Sequence, residues 1–179
     1  MNPAEARREA ARLLAARPRT LPALPEALQP RTIEEAHAIQ AAIVELAGGE
    51  IAGWKVATGE HGEAMWGAIL PADCLASPAA VGAARFPLRG IEGEIAIRFE
   101  RDLPARAAPY ARAEVEAAVV AFAAIEIVDS RFADYRAAPF LDRLADRMSN
   151  GGMVIGPDWP VWRGLDLARL KVRLLIDGQ

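Results

Sequence analysis

Near the start of the chain, apolar residues recur at helical spacing. Ala6, Ala10, Leu13 and Leu14 share one face of the run from Pro3 to Ala16, with Glu and Arg opposite, and Pro18 follows. That pattern predicts an amphipathic helix stopped by the proline. A proline-rich link through Pro22, Pro25 and Pro30 leads to Thr32, and Glu35 lies three residues on. This capping-box signature predicts a second helix to about Leu46, closed by Gly48 and Gly49. Beyond the glycines the period shortens. Ile51 to Thr58 reads as a short β segment, Gly59 to Pro87 as loops and edge strands, and Ile91 to Phe99 as a cleanly alternating strand. Ala113 to Ala123 reads as an Ala/Val helix and Ala124 to Val128 as another short strand. Asp142 to Arg147 is polar, Asn150 to Gly152 reads as a turn, Met153 to Ile155 as a brief strand closed by Gly156 and Pro157, and Leu170 to Ile176 as a last strand. The element order predicts an α+β fold, a helical N-terminal layer followed by a mainly β body.

Composition narrows the function. At 179 residues the chain fits one structural unit, and its 53% apolar content supplies a core without cross-links. A single cysteine, Cys74, excludes an internal disulfide and a cysteine zinc cage, and favours a reduced, cytoplasmic setting. The formal net charge of −3, with arginines spread along the chain, argues against nucleic acid as a partner. No apolar run approaches the ~18 residues of a membrane span. The arginine-rich start lacks an apolar core and carries Glu5 and Glu9, so it reads as mature protein.

Three features invite chemistry. In Ile91-Glu92-Gly93-Glu94-Ile95 the two glutamates share a strand face, with the isoleucines on the other. Alone, such a pair is most often a solvated face. Glu126, in Ala124-Ile125-Glu126-Ile127-Val128, sits in a run too apolar for a surface strand and needs a partner. That partner is either a hard dication such as Mg2+ or Mn2+ or an arginine, with Arg98 and Arg131 as candidates. Lys55 is one of two lysines in an arginine-rich chain and lies in the apolar Gly53-Trp54-Lys55-Val56. It is either a proton carrier or a snorkelling surface residue. His37 and His61 read as packing or surface residues, and Ser149-Asn150-Gly151-Gly152 as a turn or a small anion loop.

Taken in order, Glu35-Ala36-His37-Ala38-Ile39-Gln40, Gly53-Trp54-Lys55-Val56, Glu92-Gly93-Glu94-Ile95-Ala96, Arg101-Asp102-Leu103-Pro104, Ile125-Glu126-Ile127-Val128-Asp129-Ser130-Arg131 and Ser149-Asn150-Gly151-Gly152 resemble the 2-keto-4-pentenoate hydratase family of the fumarylacetoacetate hydrolase superfamily. The resemblance implies a helical layer over residues 1–60 packed on a mixed β-roll over 61–179, together one unit. It implies Mg2+ or Mn2+ held by Glu92, Glu94 and Glu126, with Lys55 and Asp73 as catalytic residues and Ser149, Asn150 and Gly151 as substrate-binding ones. Asp129 and Arg131 would form a supporting pair. The substrate class it implies is a small 2-oxo or 2-hydroxy unsaturated acid from aromatic catabolism, hydrated by a cytoplasmic homo-oligomer. Decarboxylation of a 2-oxo-3-enedioate, of the 4-oxalocrotonate type, would use the same chelate. Asp73, in Pro71-Ala72-Asp73, falls one position later than the acidic residue that follows a proline in the family. Family members also continue beyond Gln179 for roughly another third of their length. A chain truncated there would have an open roll with an uncovered strand edge, and could serve as an inactive assembly partner.

Overall fold

The computed structural model describes residues 1–16, 20–59 and 62–179; Pro18 and His61 lie outside them. Helix α1 (Pro3–Ala15) begins as its sequence dictates: Asn2 accepts the Glu5 N–H, the Glu5 carboxylate accepts the Asn2 N–H, and Pro3 takes the first turn. Its inward face holds Ala6, Ala10 and Leu13, and also Glu9, a charge expected on the outer side. Helix α2 (Ile33–Leu46) is capped by the Thr32 hydroxyl, but the capping box is only half made. The Glu35 carboxylate instead accepts from the Arg31 N–H at 2.7 Å and pairs with the N-terminal amine of Met1. The two helices pack with α4 (Phe140–Ala145) around Leu13, Leu24, Ile39, Ile43, Phe132 and Leu144.

A hairpin of β1 (Gly53–Thr58) and β2 (Ala64–Ile69) lies beside a four-stranded sheet ordered β3-β6-β5-β4, from β3 (Cys74–Ala76), β4 (Gly90–Phe99), β5 (Val119–Val128) and β6 (Asn150–Trp159). β3 runs parallel to β6, and the remaining pairs are antiparallel. Buried Gln40 ties helix to hairpin. Its amide donates to the carbonyls of Trp66 and Leu144 at 2.8 and 2.7 Å and accepts the Ala68 N–H at 3.0 Å. His37 stacks on Trp66 with ring centroids 3.7 Å apart, the packing role expected of it, and burial lowers its pKa.

Four local expectations are overturned. Helix α3 covers only Arg112–Glu116, and the residues from Val119 onward join β5. Val119 to Phe122 of β5 are buried on both faces and therefore read as a continuous apolar run, which periodicity cannot tell from a buried helix. Asn150 to Gly152 is no turn but the start of β6, and Gly156 and Pro157 do not close that strand. They sit at a β-bulge opposite Phe122 to Ala124, where an irregular ladder tolerates both residues. Leu170 to Ile176 forms no strand. Val172 and Leu174 instead run over Gly93, where a Cβ would meet them at 3.4 and 3.8 Å. Among the described residues no helix is long and apolar enough to cross a membrane.

Candidate metal centre

Strand register builds the site. β4 and β5 pair without interruption from Gly90↔Val128 to Phe99↔Val119, so Glu92 stands directly opposite Glu126 and Glu94 opposite Ala124. Residues opposite one another share a face, and so do residues two apart along a strand. All three carboxylates therefore project from one face, and each offers an oxygen within 4.8 Å of the others. Their exposure is graded. Glu126 is 1% exposed, Glu94 is intermediate and Glu92 faces solvent, so the group has a buried floor and an open rim.

Lys55 arrives from the hairpin. It pairs with Gly67 across β1 and β2, and Gly67 lies against the backbone of Arg147, whose carbonyl oxygen would be 2.5 Å from any added Cβ. The missing side chain lets the hairpin approach closely enough for Lys55 Nζ to reach Glu126 Oε1 at 3.0 Å and Glu92 Oε2 at 3.7 Å. Lysine, not Arg98 or Arg131, is thus the cation beside Glu126. Arg98 bonds Asp158 at 2.8 and 3.0 Å, and Arg131 pairs with Asp146. Burial raises the Glu126 pKa, an effect that Lys55 and the Asn150 amide oppose and Glu92 reinforces.

The donor set fits a hard dication. Carboxylates at such separations repel by about 3 kcal/mol or more per pair at an effective dielectric near 20. Three carboxylates and one ammonium leave a formal charge of −2. All the donors are oxygens, the type preferred by Mg2+ and Mn2+.

The remaining expected site residues divide. Asn150 joins the cluster, donating from Nδ2 to Glu126 Oε1 at 3.2 Å. Ser149 is buried next to it, its N–H bonded to the Asp146 carbonyl at 2.9 Å. Gly151 packs against β5, where a Cβ would lie 2.7 Å from that of Asp129. Asp73 is buried in an ion pair with Arg147 at 2.9 Å, with Arg85 at 3.7 Å. Asp129 does not pair with Arg131; its Oδ1 accepts the N–H groups of Ser130 and Leu88 at 2.9 and 3.3 Å.

Sequence reasoning missed the ionic layer beneath the site. Arg131 bonds both the side chain and the carbonyl of Asp146, and buried Arg147 pairs with Asp73. The available signal was the mixed-charge run Asp142-Arg143 and Asp146-Arg147 leading directly into Ser149-Asn150. Buried charges need partners, and Asp146 and Arg147 find theirs in Arg131 and Asp73.

No protein-family model matches the chain. The 2-keto-4-pentenoate hydratases of Burkholderia vietnamiensis and Paraburkholderia phymatum are each 38% identical to it over 89 residues, which is 50% of this chain and 33% of the relative. The chain therefore matches about a third of the length of these curated relatives. Among solved structures, 4-oxalocrotonate decarboxylase from Pseudomonas putida G7, complexed with magnesium and adipate, matches with a TM-score of 0.70 at 17% identity. That match covers 87% of this chain and 64% of the decarboxylase. Such identity shows a shared fold and nothing finer. Over half its length the chain is thus similar in sequence to 2-keto-4-pentenoate hydratases, and it shares the α+β fold of a 4-oxalocrotonate decarboxylase.

Proposed function

We propose that the chain carries the divalent-metal centre of a hydro-lyase of the fumarylacetoacetate hydrolase superfamily, its sheet being part of that superfamily's β-roll. It adds water to 2-hydroxy-2,4-dienoates or their 2-oxo-4-enoate tautomers. One observation carries the reading: Glu92, Glu94 and Glu126 converge on one face of the sheet with Lys55 beside them. The sequence relatives named as hydratases support the choice of reaction.

Glu92, Glu94 and Glu126 would hold Mg2+ or Mn2+. When bound, the dication supplies Lewis-acid polarisation of the substrate's C1 carboxylate and C2 oxygen, where negative charge develops. Hydration of a 2-hydroxy-2,4-dienoate to a 4-hydroxy-2-oxo acid delivers protons to C5 and C3, removes the proton of the C2 hydroxyl and leaves the hydroxide of water on C4. Lys55 is the proton carrier. Its ammonium, 3.0 Å from Glu126, gives up a proton to the substrate carbon and recovers one from the C2 hydroxyl or the added water, leaving Glu126 ionised to hold the dication. The Ser149 hydroxyl orients the substrate carboxylate at the buried end of the site. A homo-oligomer follows from the same reading. Among the described residues β4 has a strand neighbour on one side only, and Ile91, Ile97 and Phe99 are exposed along it.

The test is loss of dienoate absorbance when purified protein and Mg2+ meet 2-hydroxypenta-2,4-dienoate and its longer-chain homologues. Turnover should stop with EDTA and return with Mg2+, and Lys55→Met should abolish it while leaving metal binding. Absence of both turnover and Mn2+ binding would refute the reading in favour of a non-catalytic partner. Release of CO2 from a 2-oxo-3-enedioate without hydration would assign the sibling decarboxylase reaction instead.

A further inference from the structure

We infer that Asn150 is a positioning residue for Glu126, delivered by a strained left-handed turn, and not a contact for substrate. The inference rests on the metal-centre reading above and names how its buried ligand is fixed. Glu126 Oε1 accepts from Lys55 Nζ at 3.0 Å and from Asn150 Nδ2 at 3.2 Å. Both hydrogen bonds fall on one oxygen, which leaves the other its lone pairs for a cation. Lysine is a point charge on a flexible stem, whereas a carboxamide on a fixed backbone also sets the plane of the carboxylate. Asn150 is 0% exposed and Glu126 1%, so water has no ready access to replace the amide if it is lost. Asn150 Oδ1 has no hydrogen-bond partner among the described residues, so the side chain's one polar engagement is with Glu126.

The backbone that carries Asn150 is held under strain. Arg147, Met148 and Ser149, none of them glycine, take φ values of 53°, 53° and 59°. Left-handed backbone costs about 1–2 kcal/mol per residue, and such strain persists only where surrounding contacts enforce it. Those contacts converge on Asn150. Its carbonyl accepts from Arg131 Nη1 at 3.0 Å and from Arg147 Nη2 at 3.5 Å. The two arginines are themselves anchored, Arg131 to Asp146 and Arg147 to Asp73. The Ser149 N–H closes the turn on the Asp146 carbonyl at 2.9 Å. The ionic layer beneath the site thus fixes the main chain of the residue that, among the described residues, joins Lys55 in bonding Glu126.

Two substitutions test this. Asn150→Leu removes the donor at near-constant volume, and Asn150→Ser removes it by shortening. Mn2+ affinity is read from the free-ion electron paramagnetic resonance signal, with folding checked by circular dichroism. The wild-type chain is titrated first; failure to bind Mn2+ there overturns the metal-centre reading and this inference with it. Given wild-type binding, both variants should bind Mn2+ at least about tenfold more weakly, as is usual when the hydrogen-bond partner of a ligand is lost. With Mn2+ saturating, the KM for the dienoate should stay within about twofold of wild type, consistent with an effect confined to the metal ligand. Unchanged Mn2+ affinity overturns the inference, as does a rise in KM alone, which would mark Asn150 as a substrate contact. If Asn150→Leu does not fold, Asn150→Ser decides by the same criteria.

Discussion

Asp142, in the first turn of α4, offers a measurable consequence of burial. It is 1% exposed, and among the described residues neither carboxyl oxygen has a hydrogen-bond partner. Burial raises its pKa from 3.8 to about 6; the Leu24 backbone N–H, outside hydrogen-bonding geometry, offsets part of this, and the Glu9 carboxylate adds to it. Glu9, facing it from α1, is raised by burial too, against the pull of Arg12 and Arg8. A folded-state pKa above the unfolded one means that the native state holds the proton more tightly. The contribution to stability is then full below pH 3.8 and is lost as pH rises through about 6. A shift of some two units at about 1.36 kcal/mol each amounts to roughly 3 kcal/mol. Asp142→Asn keeps the shape and removes the charge. It should therefore stabilise the protein by up to about 3 kcal/mol at pH 7.5 and by almost nothing at about pH 3, where the acid is neutral in both states. Urea unfolding of wild type and variant across this range isolates the residue, because most other titrations cancel in the difference. The midpoint of thermal unfolding should rise by roughly 5–10 °C at pH 7.5. A pH-independent difference, or a variant less stable at pH 7.5, would refute the reasoning.

Breaking the layer under the site should be costly. Arg131→Met leaves buried Asp146 without its guanidinium and should lower stability by about 3–5 kcal/mol in urea unfolding. Gly67→Ala places a Cβ 2.5 Å from the Arg147 carbonyl oxygen, a backbone atom that cannot rotate away. The hairpin must retreat, at about 1–3 kcal/mol, and Lys55 with it. Dienoate turnover should fall while Mn2+ affinity, read as before, changes little; retention of full turnover would show that the hairpin's approach does not set the position of Lys55.

Local chemistry was legible along the chain because it depends on near neighbours. Asn2 and Thr32 cap their helices, Gly48 and Gly49 end the second, and Ile91 to Phe99 alternates as a strand does. The same alternation placed Glu92 and Glu94 on one face, and the apolar setting of Glu126 marked it as a charge in need of company. Its companions were not legible. Whether Lys55, Arg98 or Arg131 reaches it depends on where the hairpin docks, and that depends on Gln40 bridging three elements and on the bare α-carbon of Gly67 against Arg147. The start of β5 escaped notice because Val119 to Phe122, buried on both faces, carry no period to read. Residue order thus determined the capped helices, the paired glutamates and the odd lysine. Register across β4 and β5, the left-handed turn and the ion pairs beneath it were decided only by tertiary packing, because each joins groups far apart along the chain whose encounter no local propensity specifies.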